Sequence, residues 1–509
     1  MNRASFHLVE TLDEPLDTEL FLASFPARES SVFVLDGGGA QSNPRLDGFA
    51  FLGAEPIASF VAHRMRDERG AILRDERGRA LGRVAIHRQG ETTVRENVNP
   101  WDELSRFYEE HALPTSLFQP SPIPFRAGLV GYLGYEAGQF LEKLPCENRP
   151  SSGLPDIALS LYRWLIAKER RTGQCHLSVI GEGESEAEAR KDAERIRDEV
   201  LAKLRKGREN AISSSETPLP PKRGNGLGDG GSYSLVDRDA YLERIRIVKE
   251  HIDCGDAFEI CLTKAHKAPF SLSDSRVLYT MLRSRNPAPF AGYWESADFA
   301  IVSSSPERFV SLDAEGWAES RPIKGTRPRG ETKELDERLA RELATCEKDR
   351  AENAMIVDLT RNDFGRVCRF GSVTVPELFA VEGYATVHQL VSTIRGQLLP
   401  DKNAIDLVRA CFPPGSMTGA PKIEAMRILE GLEVVERGVY AGAFGWLDLG
   451  GAMDLSVVIR TLVLAHGEAT FAVGGAIVAD SDPEGEHEEA ELKARALVRA
   501  LETFAKGGA

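Results

Sequence analysis

Two acidic segments carry residues that could hold a metal ion. CEKDRAENAM contains Glu347, Asp349 and Glu352, and DPEGEHEEAELKA contains Glu484, Glu486, Glu488, Glu489 and Glu491. Asp349/Glu352 and Glu486/Glu489 are each spaced i,i+3, which puts each pair on one helix face. Two such faces brought together would offer oxygen ligands to Mg2+, with water completing the octahedron. Carboxylates at a helix start are also favoured by the helix dipole alone, so spacing leaves both readings open. Lys324 lies in SRPIKGTRPRG, 320–330, a strand-like run in which it points to one face. It either snorkels to solvent or, desolvated in a pocket with a lowered pKa, serves as nucleophile or base. Arg460, inside the apolar LSVVIRTLVLA, needs an anionic partner, from protein or from ligand. GSMTGAPK, 415–422, is a Gly-rich turn into a helix. It can hold a carboxylate or phosphate on its N–H groups, or be capped by Ser416 or Thr418.

The elements that would position these groups follow from periodicity. Residues 184–205 space Ala, Ile, Val and Leu at helical intervals among charges. A helix capped by Asp237 follows further on. One long helix is predicted across 331–358, another over Pro421–Leu432 with Pro in its first turn, and a last one from about Pro483 to Phe504. GVYAGAFGWLDL, AMDLSVVIRTLVLA and EATFAVGGAIVA, separated by Gly450-Gly451 and His466-Gly467, predict a three-stranded meander. Strand runs mixed with separated helices indicate an α+β fold and not a doubly wound sheet. KGRENAISSSETPLPPKRGNGLGDGGSYS, 206–234, has almost no apolar residues and predicts a flexible linker between domains at 1–205 and 235–509. Its G-x-G-x-x-G at Gly226, Gly228 and Gly231 lacks a preceding strand and a closely following helix, so it is not read as a dinucleotide loop.

Composition narrows the classes. The chain has 509 residues, with 63 Lys+Arg against 78 Asp+Glu, a formal charge of −15. An acidic chain disfavours non-specific nucleic-acid binding, which rests on cations neutralising phosphates. It also repels a small dianion unless cations are concentrated locally. MNRASFHLVETLDEPLD has no apolar h-region, so no signal peptide is expected. No run of about 18 apolar residues occurs, so no membrane span is expected either. Cys146, Cys175, Cys254, Cys261, Cys346, Cys368 and Cys411 are scattered and form no C-x-x-C pair. They predict reduced thiols in a cytoplasmic protein and no structural zinc.

PIKGTRPRG, EKDRAENAMIVDLTRND, TVHQLVSTIRG, FPPGSMTGAPK, RGVYAGAFGW, SVVIRT and ADSDPEGEHEEAELKARAL occur in this order over about 235–505. In these motifs the chain resembles the chorismate-utilising enzymes: anthranilate synthase component I, aminodeoxychorismate synthase component I, and isochorismate or salicylate synthases. PFRAGLVGYLGYE is similar to the N-terminal domain of the amine-adding members. The resemblance implies layered antiparallel sheets flanked by helices, with the active-site cleft in the C-terminal domain. It implies Mg2+ on Glu352 and Glu489, with Asp349 and Glu486 nearby or acting through water, clamping the ring carboxylate of chorismate. Arg460, Tyr440, Ser416 and the backbone at Gly474-Gly475 match groups that hold the enolpyruvyl carboxylate. Thr326 and His388 match residues lining the ring. Glu307, in SSSPERF, matches the acid that protonates the departing 4-hydroxyl, a task that needs a raised pKa.

Two positions distinguish the members. Water-adding members use lysine where this chain has Glu259, and anthranilate synthases usually have Gln there. Anthranilate synthases carry Ala in the motif that here reads PIKGT; lysine marks the aminodeoxychorismate synthase branch. There Lys324 would bond covalently to ring C2, and ammonia would then add at C4 to give 4-amino-4-deoxychorismate for 4-aminobenzoate and folate synthesis. With Ala, ammonia would itself attack C2 and lead to anthranilate, the alternative product. No cysteine stands in a G-x-C-x-G setting, so a separate glutamine amidotransferase subunit is expected to supply ammonia.

Overall fold

The computed structural model describes residues 4–37, 48–88, 90–118, 123–145, 149–213, 233–384 and 387–505. Runs rich in β-branched and aromatic residues, such as FAIVSSS and VHQLVSTIRGQ, form strands, which assemble into two antiparallel twelve-stranded sheets. In the first sheet the order is Ala4–Thr11, Cys175–Gly183, Trp164–Glu169, Phe49–Gly53, Phe33–Leu35, Phe290–Glu295, Phe299–Ser305, Thr461–Ala465, Glu468–Ile477, Glu259–Pro269 and Tyr233–Ser234. Gly419–Ala420 also pairs with Glu259–Pro269. In the second the order is Ile323–Pro328, Val387–Gln397, Trp317–Ser320, Arg308–Leu312, Met453–Val457, Ala443–Asp448, Gly128–Leu133, Ile157–Tyr162, Ala58–Arg64, Gly82–Arg88 and Glu91–Val98. Thr374–Gly383 pairs with Val387–Gln397.

Each sheet therefore joins strands from both sides of the 206–234 segment. The seams are Phe33–Leu35 against Phe290–Glu295 in the first sheet and Gly128–Leu133 against Ala443–Asp448 in the second. The sheets face each other across an aromatic core. Tyr132 of the second meets Trp294 and Phe299 of the first with ring centroids 6.0 and 5.8 Å apart, and Phe33 meets Tyr162 at 4.7 Å. These edge-to-face contacts suit aromatic quadrupoles. Helices cover the outer faces. Glu186–Ser213, Arg238–Asp253, Ser275–Arg285 and Pro483–Ala505 pack on the first sheet, and Pro100–His111, Ala404–Cys411 and Glu347–Gly365 on the second. The α+β class expected from the sequence is the one observed.

Several local expectations change. The helix predicted at 331–358 is two helices, Lys333–Thr345 and Glu347–Gly365, broken at Cys346 in an extended conformation. The break gives Glu347, Lys348 and Asp349 a helix N-terminus of their own. The predicted meander is also interrupted: its middle strand is Met453–Val457 in the second sheet and Thr461–Ala465 in the first. The run reads as one continuous strand because both pieces are largely buried, and Arg460-Thr461 is the only polar pair at the crossing. Residues 206–213 of the expected linker continue the helix Glu186–Ser213, and 214–232 lie outside the described residues. Asp237 caps its helix as expected, accepting from Ala240 N at 2.8 Å. Cys146 lies outside the described residues; the other six cysteines are free thiols. Among the described residues no helix is long and apolar enough to cross a membrane.

Candidate active site

The chain passes from sheet to sheet at two neighbouring places, and each passage carries a functional candidate. Phe299–Ser305 leads through Pro306 and Glu307 into Arg308–Leu312, and Met453–Val457 leads through Arg460 into Thr461–Ala465. Backbone bonds tie the passages together: Val457 N donates to Glu307 O at 3.0 Å, and Ser304 N to Arg460 O at 3.1 Å. Arg460 has φ +49°, a left-handed conformation that costs a non-glycine residue of order 1–3 kcal/mol.

Glu307 is buried, and burial pushes its carboxyl up to about 7 against the opposing influence of the Ser416 hydroxyl and Lys324. It is thus partly protonated near neutral pH. Arg460 forms no ion pair among the described residues. Burial lowers its pKa, and Glu307 only partly offsets this. A desolvated guanidinium without a counter-ion attracts an anion.

Lys324, on the strand Ile323–Pro328, is buried and donates to Glu259 Oε1 at 2.6 Å. Glu259 opens the strand Glu259–Pro269, so this bond joins the two sheets. Burial disfavours the lysine charge, but Glu259 and Glu352 outweigh it and hold its pKa above the ordinary lysine value. The lowered pKa envisaged for a pocketed lysine is therefore not found: the neighbouring carboxylates decide the sign. Glu259 Oε2 is buried with no hydrogen-bond partner.

The two acidic helix starts converge, with one exception. Glu352 is buried, and desolvation together with Glu259 and Glu486 raises its carboxyl to about 7 despite Lys324 and Lys348. Glu486 accepts from Ser481 Oγ at 2.6 Å and from Lys348 Nζ at 2.9 Å; the same Nζ lies 3.8 Å from Glu352. Glu489 is half-exposed and pairs with Lys493 at 2.7 Å; Lys493 also donates to Gly474 O at 2.8 Å. A Cβ on Gly475 would stand 2.8 Å from Glu486 Oε2, so glycine lets that carboxylate approach the strand. Asp349 departs from the group. It pairs with Arg327 at 3.1 Å, and a Cβ on Gly325 (φ +78°) would lie 2.6 Å from its Cγ. Its shorter side chain is used for that contact.

Among the described residues no group of three or more His, Cys, Asp or Glu is arranged to hold a metal ion. The residues nevertheless fit Mg2+. The donors are all carboxylate oxygens, Lys348 already places a cation between Glu352 and Glu486, and Mg2+ uses one or two carboxylates together with water and substrate oxygens.

Of the remaining expected residues, Ser416 reaches Glu307, and Tyr440 is buried, which raises its pKa. Thr326 is exposed on the Lys324 strand, two residues on and past the irregularity at Gly325 (φ +78°). His388 bonds through Nε2 to Asp336 Oδ1 at 2.9 Å. Glu259 stands out in the sequence only as a position that distinguishes the members, and Lys348 and Lys493 are not singled out. Lys348 sits in the first turn of a helix, where the dipole disfavours a cation, and that mismatch was the signal available.

A family model for chorismate binding enzymes matches residues 69–499. The chain is 44% identical over 388 residues to aminodeoxychorismate synthase of Streptomyces griseus, an alignment covering 76% of this chain and 52% of that protein. The chain thus spans about half the length of that relative. It is 38% identical to aminodeoxychorismate synthase component 1 of Salmonella typhimurium (77% and 82% covered) and 39% identical to anthranilate synthase component 1 of Thermus thermophilus (81% and 85% covered). The crystal structure of anthranilate synthase component I from Streptococcus pneumoniae superposes with a TM-score of 0.70 at 27% identity, covering 90% of this chain and 93% of that one. The matched span, these identities and the shared fold agree: this chain belongs to the chorismate binding enzyme family.

Proposed function

We propose that the protein is an aminodeoxychorismate synthase component I. It would convert chorismate and ammonia to 4-amino-4-deoxychorismate for 4-aminobenzoate and folate synthesis. The observation that carries this reading is Lys324, buried among Glu259, Glu307 and Glu352 and not exposed on a strand edge. The relatives named aminodeoxychorismate synthase support it.

Arg460 would take one carboxylate of the dianionic substrate, since it is buried without a counter-ion among the described residues. Mg2+, when bound, would be held by Glu352 and Glu489, with Glu486 nearby or acting through water, and would neutralise the other carboxylate. Glu307, with a carboxyl near 7, would protonate the departing 4-hydroxyl. Lys324 Nζ would bond to C2 as the C4–O bond breaks. Ammonia would then bond to C4 as the C2–N bond breaks, which returns the lysine. A separate glutamine amidotransferase is the proposed ammonia source.

The similarity to anthranilate synthase component 1 of Thermus thermophilus favours a second reading, release of anthranilate. Incubation with chorismate, ammonia and Mg2+ separates the two. Release of 4-amino-4-deoxychorismate, converted to 4-aminobenzoate only on addition of a lyase, is expected. Fluorescent anthranilate without a lyase would overturn the first reading. Lys324→Ala should abolish most 4-amination, and an undiminished rate would exclude covalent catalysis.

A further inference from the structure

A lysine nucleophile must first lose a proton, and Lys324 is built to keep one. Its Nζ makes its one hydrogen bond among the described residues to Glu259, at 2.6 Å, between two buried groups on different sheets. Resting on the reading of Lys324 as the nucleophile, we propose that Glu259 is the base that takes the Lys324 proton before bond formation and returns it after the amine departs.

The geometry separates Glu259 from the other carboxylates. Glu307 is partly protonated at neutral pH and serves as the donor. Glu352 is shared with Lys348 and Glu486 on the candidate metal side. Glu259 alone has one oxygen on Nζ and the other buried without a partner. Transfer along a 2.6 Å bond turns a buried ion pair into two neutral groups, so charge separation in the low-dielectric interior falls.

The protons balance. Transfer from Nζ to Oε1 leaves a neutral amine and a carboxylic acid. The Nζ lone pair then forms the bond to C2, the ring double bonds shift, and the C4 oxygen leaves as water with the Glu307 proton. When ammonia bonds to C4, the C2–N electron pair returns to Nζ. The proton held by Glu259 goes back to Lys324 and restores the ion pair. The product carries an ammonium, and solvent reprotonates Glu307.

The test is the rate at which the protein gains the mass of chorismate minus water, by rapid quench and intact-mass measurement, with chorismate and Mg2+ but no ammonia, from pH 6 to 9. Glu259→Gln should slow the adduct about 10²-fold at pH 7, the low end for a lost general base. Both rates lose the Glu307 acid above pH about 7, but the ratio of the variant's rate to the wild-type rate should climb with pH as solvent replaces the base. Glu259→Asp, which keeps a carboxylate farther from Nζ, should be slower than wild type with the wild-type pH profile. A Glu259→Gln protein with wild-type rate and profile would overturn the assignment; if that variant does not fold, an unchanged rate in Glu259→Asp would do so. Absence of any wild-type adduct would overturn the nucleophile reading and this assignment with it. A wild-type adduct with an unaffected Glu259→Gln would overturn the assignment alone.

Discussion

Glu307→Gln should make the protein less active and, above neutral pH, more stable. Glu307 is buried with its carboxyl raised from 4.5 to about 7. As pH rises through that window, the folded chain keeps a proton that the unfolded chain releases, so Glu307 removes stability progressively. The full gap corresponds to about 3 kcal/mol, of which about 2.5 kcal/mol falls between pH 5 and pH 8. Glutamine has nearly the same shape and never ionises, so it escapes this loss. Urea unfolding of both proteins at pH 5 and pH 8 should show the variant gaining about 2.5 kcal/mol on the wild type across that interval. Chorismate turnover by the variant should drop by about 10²–10⁴-fold, and wild-type kcat/KM should decline above pH about 7 as the acid loses its proton. A stability gap that stays constant with pH would refute both the raised carboxyl and the role derived from it.

Arg460→Met should raise KM for chorismate on the order of 10²-fold with a smaller change in kcat, because a charged hydrogen-bond anchor is lost; an unchanged KM would mean the carboxylate is held elsewhere. Lys348→Met should tighten the binding of Mg2+ alone, measured by calorimetry without chorismate, by about fivefold, the equivalent of a half-exposed ion pair. Equal affinity would show that Lys348 does not compete for the cation position. Gly325→Ala should lower stability by at least about 1–2 kcal/mol, since φ is +78° and Asp349 fills the space, with the loss read from urea midpoints. A variant as stable as wild type would show that the contact yields freely.

Periodicity and capping located the helices with clear starts. Asp237, Pro421 and Pro483 all mark real helix beginnings, and the i,i+3 carboxylates lie at two acidic helix starts, which no local spacing could have brought together. The break at Cys346 was hidden because LATCEKDRAE is helix-favouring on both sides; only the misplaced Lys348 betrayed it. The change of sheet at Arg460 is hidden because VVIRTLVLA continues the β-rich run of MDLSV without a Gly or Pro break. The charge state of Lys324 lay outside the reach of local pattern: its partner Glu259 is 65 positions away on another sheet. Asp349 had the right type and spacing for a ligand, but Arg327, on the facing strand, claims it.

The interleaving of the sheets governs how this chain can be divided. Five strands of each sheet come from before residue 206 and seven from after it. A cut within 214–232 would sever one peptide link and leave both seams to be made by noncovalent pairing alone. Either fragment by itself would expose two unpaired strand edges and half of the aromatic core. The fragments are thus complementary pieces and not portable modules. Mixed together they should reassemble into one particle, and separately each should aggregate. Charge at the site would then depend on a seam far from it, because Lys324 and Glu259 stay in register only while both sheets stand in their proper relation.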